Sequence, residues 1–222
     1  MKIKNLLFGI VAATGMLLGG CNSHSNDDYL ENFVDFVTLD SFSDAGATMT
    51  FREKGDSPLL TLTTNQKFPA DKFKAGTRIV ISYITSTGLR VSGPCTIIEA
   101  APTEGLGAQA VTKTAQETNN WATEAVSMKD LQRSGEYINF ICIGSSSKSD
   151  NCISLVLDAA TADNEVPEYH VVFQPKTDGA VQNYYYYCSY SISDSWANPN
   201  VKGVKIHFKD TSLGSKVVEL MK

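Results

Sequence analysis

From Val34 to Leu220 the chain is written in short apolar or alternating runs punctuated by Gly, Pro, Asn, Asp and Ser. Runs of that length, rich in Val, Ile, Tyr and Thr, build strands and lack the period of an amphipathic helix. The first group comprises Phe36–Phe42, Thr48–Phe51, Leu59–Thr64, Arg78–Ile84 and Thr96–Ala100. Turns are expected at Asp44-Ala45-Gly46 and Gly55-Asp56-Ser57-Pro58, and a brief helical turn at Pro69–Phe73. Five strands with one such insert suit a small closed barrel of the OB type, assigned to residues 35–111. Residues 112–121, rich in Thr, Gln and Asn, read as a linker. The second group lies in residues 122–222: Ala125–Leu131, Glu136–Ile143, Cys152–Leu157, Tyr169–Phe173, Tyr184–Ile192, Gly203–Phe208 and Lys216–Leu220. Seven strands at that spacing predict an antiparallel sandwich of immunoglobulin-like size. The expected class is all-β.

The N-terminal end has a different grammar. Lys2 and Lys4 precede an apolar run from Leu6 to Leu18, and Leu18-Gly19-Gly20-Cys21 is followed by an abruptly polar stretch. A spanning helix needs about 20 apolar residues, and this run is shorter and interrupted by Gly9, Thr14 and Gly15. Residues 1–20 therefore read as a secretory signal, and the cysteine at its end looks like a lipobox, with Cys21 the site of lipid attachment. Residues 21–34 form a polar tether. Within it Ser25-Asn26-Asp27-Asp28 resembles the acidic export signal of surface lipoproteins, which places the protein at the outer membrane and facing the cell surface rather than the periplasm.

Charge narrows the partners. Without Lys2 and Lys4 the chain holds 17 basic against 24 acidic residues, a formal charge of −7. Nucleic-acid binding needs a basic footprint and is not expected. Attachment to a membrane is assigned to acyl chains on Cys21 rather than to headgroup adsorption. No catalytic residue is nominated, because the sequence has neither a Gly-x-Ser-x-Gly elbow nor a His-Glu-x-x-His pair. Gly105-Leu106-Gly107-Ala108-Gln109-Ala110 superficially matches a dinucleotide fingerprint. It lacks the strand–helix context that such a motif requires, so no cofactor is expected. No metal site is expected either.

Cys95, Cys142, Cys152 and Cys188 remain beyond Cys21. Two readings stand for them. In one, a turn near Ser147 sets Cys142 opposite Cys152 in a hairpin and permits a disulfide. In the other, all are buried thiols that pack as small apolar residues. The most pointed surface candidate is Tyr184-Tyr185-Tyr186-Tyr187 with Tyr190 and Trp196. Alternation puts Tyr185 and Tyr187 on one face of a strand and Tyr184, Tyr186 and Tyr190 on the other. Tyr185, Tyr187 and Trp196 are therefore the expected ligand platform.

The order of signal, tether, barrel and sandwich resembles the NigD-like lipoproteins of the Bacteroidota. The resemblance also rests on Phe68-Pro69-Ala70-Asp71-Lys72-Phe73-Lys74-Ala75-Gly76-Thr77-Arg78 and Gly135-Glu136-Tyr137-Ile138-Asn139-Phe140. It implies an N-terminal OB domain, a C-terminal β-sandwich and a bacteriocin-associated immunity or accessory role. It implies no reaction and no ligand. The four cysteines depart from the pattern. The expected function is a non-enzymatic lipoprotein that binds a protein or peptide. A glycan-binding accessory lipoprotein is the first alternative, and a hydrolase with an unrecognised site the second.

Overall fold

The computed structural model describes residues 32–105 and 107–222. The lipid-attachment candidate Cys21 and the Ser25–Asp28 stretch lie outside the described residues. Among the described residues no helix is long and apolar enough to cross a membrane.

Strands β1 (Phe33–Ser43), β2 (Gly46–Phe51), β3 (Leu60–Thr64), β4 (Thr77–Thr85) and β5 (Gly93–Pro102) close into a barrel in the order β1-β2-β3-β5-β4. Strand β4 returns antiparallel to β1, and a parallel pairing of β3 with β5 completes the ring. Period-two alternation fills the interior. Ala47, Met49 and Phe51 of β2 meet Ile79, Ile81 and Tyr83 of β4 and Val37 and Leu39 of β1. One interior position is acidic. Asp35 is buried and accepts hydrogen bonds from the Tyr83 hydroxyl (2.9 Å) and Arg90 Nε (3.1 Å). Burial raises its pKa despite those partners.

The second unit contains β6 (Val111–Lys113), β7 (Ser127–Ser134), β8 (Tyr137–Ser146), β9 (Ile153–Asp158), β10 (Glu168–Phe173), β11 (Gln182–Ser191), the short helix α1 (Ser193–Trp196), β12 (Gly203–Asp210) and β13 (Gly214–Met221). A five-stranded sheet, β13-β12-β10-β9-β6, packs against a three-stranded sheet, β11-β8-β7. Phe140, Cys142, Tyr186 and Cys188 of the smaller sheet share the core with Leu155, Val171, Phe173 and Ile206 of the larger. The sheets approach so closely at Gly144 that a Cβ there would lie 2.5 Å from Phe173 Cζ.

The sandwich differs from the expected one in two respects. It has eight strands rather than seven, because Val111–Lys113 joins the larger sheet beside β9. It is also mixed, since β6 pairs with β9 and β10 with β12 in parallel. Such pairings join segments distant in sequence and leave no turn signature to read.

Two buried arginines close the seam between barrel and sandwich. Arg78, on the outer face of β4, donates from Nε to Ser189 Oγ (3.0 Å), from Nη1 to Thr38 Oγ1 (3.2 Å), and from Nη2 to the Phe36 carbonyl (3.0 Å) and Asn139 Oδ1 (3.4 Å). Its guanidinium lies 4.4 Å from the centre of the Tyr137 ring. Burial draws its pKa down to about 10, so it stays charged at neutral pH. Arg133, on β7, grips Asp56 of the barrel through both terminal nitrogens, at 2.8 and 2.7 Å. Backbone bonds from Gly55 N to the Arg133 carbonyl (2.6 Å) and from Gly135 N to the Gly55 carbonyl (2.7 Å) run beside it. The second glycine of the false dinucleotide motif serves this seam. A Cβ on Gly107, at φ +76, would lie 2.4 Å from Arg78 Cγ.

Candidate functional site

Strand β11 divides its tyrosines as alternation requires. Tyr186 and Tyr190 are buried in the core, whereas Tyr185 is 49% exposed and Tyr187 half-buried on the outer face. The Tyr185 and Tyr187 rings lie 6.5 Å apart at an interplanar angle of 18°. Their cross-strand partners on β8 are Ile143 and Ile141, which share that face. Asp130 of β7 pairs with Ile141 at the margin, and partial burial raises its pKa. The result is a shelf of two phenols and two isoleucines with an acidic rim. Desolvation pushes the Tyr187 hydroxyl up to about 12, so it remains a neutral hydrogen-bond donor.

Trp196 does not join this shelf, which corrects the expected platform. Helix α1 follows β11 directly and turns the indole back into the seam, where it is 9% exposed. The Arg133 guanidinium lies 4.2 Å and Lys222 Nζ 5.2 Å from its ring centre. The neighbouring Ser195 hydroxyl accepts from Tyr169 (2.6 Å) and ties the helix to the larger sheet. Here indole and cations satisfy one another.

All four cysteines are buried free thiols. The Cys142–Cys152 disulfide does not form, because β8 and β9 are not hairpin partners. Strand β8 is paired on both sides, by β7 and β11, so the chain crosses to the other sheet before β9 begins. Burial pushes the Cys95 thiol up to about 11 and Cys142 up to about 12, which leaves both protonated and poorly nucleophilic.

A second constellation was missed from the sequence. Parallel pairing of β10 with β12 sets His170 directly beside His207 on the outer face of the larger sheet. Trp121 stacks on His170 with ring centres 3.9 Å apart at 4°, and His170 on His207 at 4.6 Å and 13°. His207 Nε2 lies 2.8 Å from Glu168 Oε2. The ladder borders a concavity of about 470 Å³ whose lining includes Lys209, Ser215 and Lys216. Asn119, Asn120 and Trp121 all have positive φ, at 49°, 55° and 61°. The Asn-Asn dipeptide was the available signal, since Asn tolerates the left-handed region better than other side chains.

Desolvation, with His207 adding to it, holds His170 down to about 4, against an ordinary value of 6.5. Between those values the unfolded chain binds a proton that the folded chain refuses. Stability contributed by His170 should therefore fall as pH drops from about 6.5 to about 4. Urea midpoints at pH 7 and 4.5 should separate less in His170→Asn than in the native chain. Equal separations would show that His170 titrates normally.

No protein-family model matches the chain, and no curated protein sequence matches it. Solved structures do. A Bacteroides vulgatus ATCC 8482 protein of unknown function, DUF1344, superposes with a TM-score of 0.65 at 13% identity, over 86% of this chain and 91% of that one. A NigD-like immunity protein from Bacteroides caccae ATCC 43185 gives a TM-score of 0.55 at 15% identity, over 86% and 94%. The chain has the fold of a NigD-like protein. A Bacteroides fragilis NCTC 9343 protein whose name assigns it provisionally to the lipoproteins gives 0.56 at 10% identity, over 86% and 98%. The resemblance drawn from the sequence is thus met in the fold, and at these identities the likeness extends to the fold alone.

Proposed function

We propose that this chain is a non-enzymatic surface lipoprotein, anchored through Cys21, that engages a protein or peptide partner in a bacteriocin-immunity or accessory role. The observation that carries the reading is the outward Tyr185–Tyr187 pair. Ser189 and Asn139 of the same outer face are taken by Arg78 of the barrel, but Tyr185 is 49% exposed and Tyr187 half-buried, so the open side of the pair is left to meet a partner. Tyrosine offers large contact area at low entropic cost, and Ile141 and Ile143 extend that area. The fold shared with an immunity protein and the lipobox-like N-terminus support the assignment.

The test uses a strain lacking the chain, challenged with bacteriocin preparations. The native protein should restore resistance, and the Tyr185→Ala/Tyr187→Ala protein should not, although it reaches the membrane fraction in equal amount. Cys21→Ala should leave the membrane fraction and also fail to protect. Full protection by the double tyrosine variant would sink the shelf as the binding surface. Tight membrane association of Cys21→Ala would remove the anchor.

A further inference from the structure

We infer that the tip of the β4–β5 hairpin is a membrane contact, in which Leu89 and Val91 enter the interfacial layer of the bilayer that holds the acyl chains of Cys21. The inference rests on the anchor proposed above. Strand β4 runs antiparallel to β1, so the hairpin leaves the barrel at the end where the described chain begins. Phe33 pairs with Tyr83 there, and Asn32 Oδ1 accepts from the Ser82 hydroxyl at 2.8 Å. From Tyr83 the hairpin continues through Thr85 to Gly88 before it turns back. It thus passes the chain entry by on the order of 10 Å. Eleven positions separate Cys21 from Asn32, and even fully extended they reach no more than roughly 40 Å. The lipid therefore keeps this end of the barrel within reach of the bilayer, and the tip is the part of it that projects.

The tip is apolar on its outside and locked from within. Leu89 is 61% exposed and Val91 41%, on either side of Arg90 in the chain. Arg90 is the one ionisable side chain from Thr85 to Ser92, and it turns back over the barrel end. Its Nε lies 3.1 Å from Asp35 Oδ2, its Nη1 3.5 Å from Glu53 Oε1, and its guanidinium 4.8 Å from the centre of the Phe33 ring. The charge is matched inside the barrel, which leaves two aliphatics among Ser, Thr and Gly to face outward. The backbone is fixed as well. Thr85 Oγ1 donates to the Leu89 carbonyl (2.8 Å), Gly88 N to the Thr85 carbonyl (3.2 Å) and Thr61 N to Ser92 Oγ (3.0 Å). Turning the aliphatics inward would break these bonds, so the loop is built to present them. A chain of net negative charge gains nothing from anionic headgroups, whereas aliphatic side chains gain from the acyl boundary whatever its charge. Two of them are too few to hold a protein on a membrane alone. With the anchor in place the contact forms at high effective concentration, and a weak surface suffices.

The experiment exploits the buried thiols: with Cys95, Cys142, Cys152 and Cys188 covered and Cys21 taken by lipid, a cysteine introduced on the surface is labelled alone. Leu89→Cys carries an environment-sensitive fluorophore. Leu213→Cys is the control, an exposed position at the β12–β13 turn, at the other end of β13 from Lys222 and the seam. The acylated proteins are placed in vesicles of phosphatidylcholine and phosphatidylethanolamine. The label at position 89 should shift to the blue and be quenched by spin-labelled acyl chains, at low and high salt alike, and the label at position 213 should do neither. Val91→Asp should cut the quenching at position 89 at least twofold without lowering the melting temperature. Equal responses at the two positions, no response at position 89, or a response lost in high salt would each overturn the inference. A blue shift that grows with protein concentration in the absence of vesicles would give the tip to a second copy of the chain and overturn it as well. Mass spectrometry of the native chain tests the anchor separately. A Cys21 without lipid would refute the anchor, and the mature chain coupled at Cys21 to a maleimide lipid would then decide the tip by the same quenching.

Discussion

Arg78→Ala should destabilise the protein by about 3 kcal/mol, measured as a lower urea midpoint at unchanged slope. The loss has three sources. Four hydrogen bonds from a charged donor disappear, and Ser189 Oγ and Asn139 Oδ1 lose a buried donor, although Ser189 still donates to Asn139 at 2.7 Å. The Tyr137 ring also loses its cation. Arg78→Lys should recover only a minor part, because an ammonium cannot reproduce the planar fork that reaches acceptors on both units. Arg133→Ala serves as the contrast. Its partner Asp56 is more than half exposed and regains water, but Arg133 is itself buried over the Trp196 ring, so that loss should be smaller, about 2 kcal/mol, despite the shorter contacts. If Arg78→Ala and Arg133→Ala cost the same, burial of the acceptors does not govern the seam.

Gly46→Ala should cost at least as much, roughly 3 kcal/mol, and should open the barrel where β2 meets β3. At φ +136 an L side chain is strained even in open space. Here there is no space: the Cβ would lie 2.0 Å from the Thr64 carbonyl oxygen and 2.9 Å from Asn65 Cα. Both obstacles are backbone, and Thr64 pairs with Ala47 in the ladder, so relief requires unpairing the strand end. Gly88→Ala is the control, since its φ of +65 is unfavourable but nothing lies within 4 Å, and about 1 kcal/mol should suffice. Amide exchange at Thr64 and Ala47 should quicken in Gly46→Ala and not in Gly88→Ala. Matching melting temperatures for the two variants would refute the steric argument.

How much of this was legible depended on the range of the interaction that decides each element. The barrel strands and the division of Tyr185 and Tyr187 from Tyr186 and Tyr190 follow from period-two alternation, a local property. The parallel pairing of β10 with β12 does not, so His170 and His207 read as two unrelated strand residues until the sheet aligned them. Trp121 sat in a stretch that reads as linker, and only the preceding asparagines hinted at its unusual backbone. Trp196 was misplaced because a four-residue helix reverses its direction, and so short a turn leaves no periodic trace. Arg78 opens the most regular strand of the first group, yet its role depends on Ser189 and Asn139, 111 and 61 positions away.

The buried thiols bear on how such a chain is made. Cys142 and Cys188 lie in the sandwich core, Cys152 at its edge, and Cys95 in the barrel, and no bond joins any of them. Neither unit therefore waits on an oxidant or an isomerase to reach its native connectivity. Burial keeps the Cys95, Cys142 and Cys188 thiols protonated, so the folded chain offers an oxidant little thiolate at those three positions.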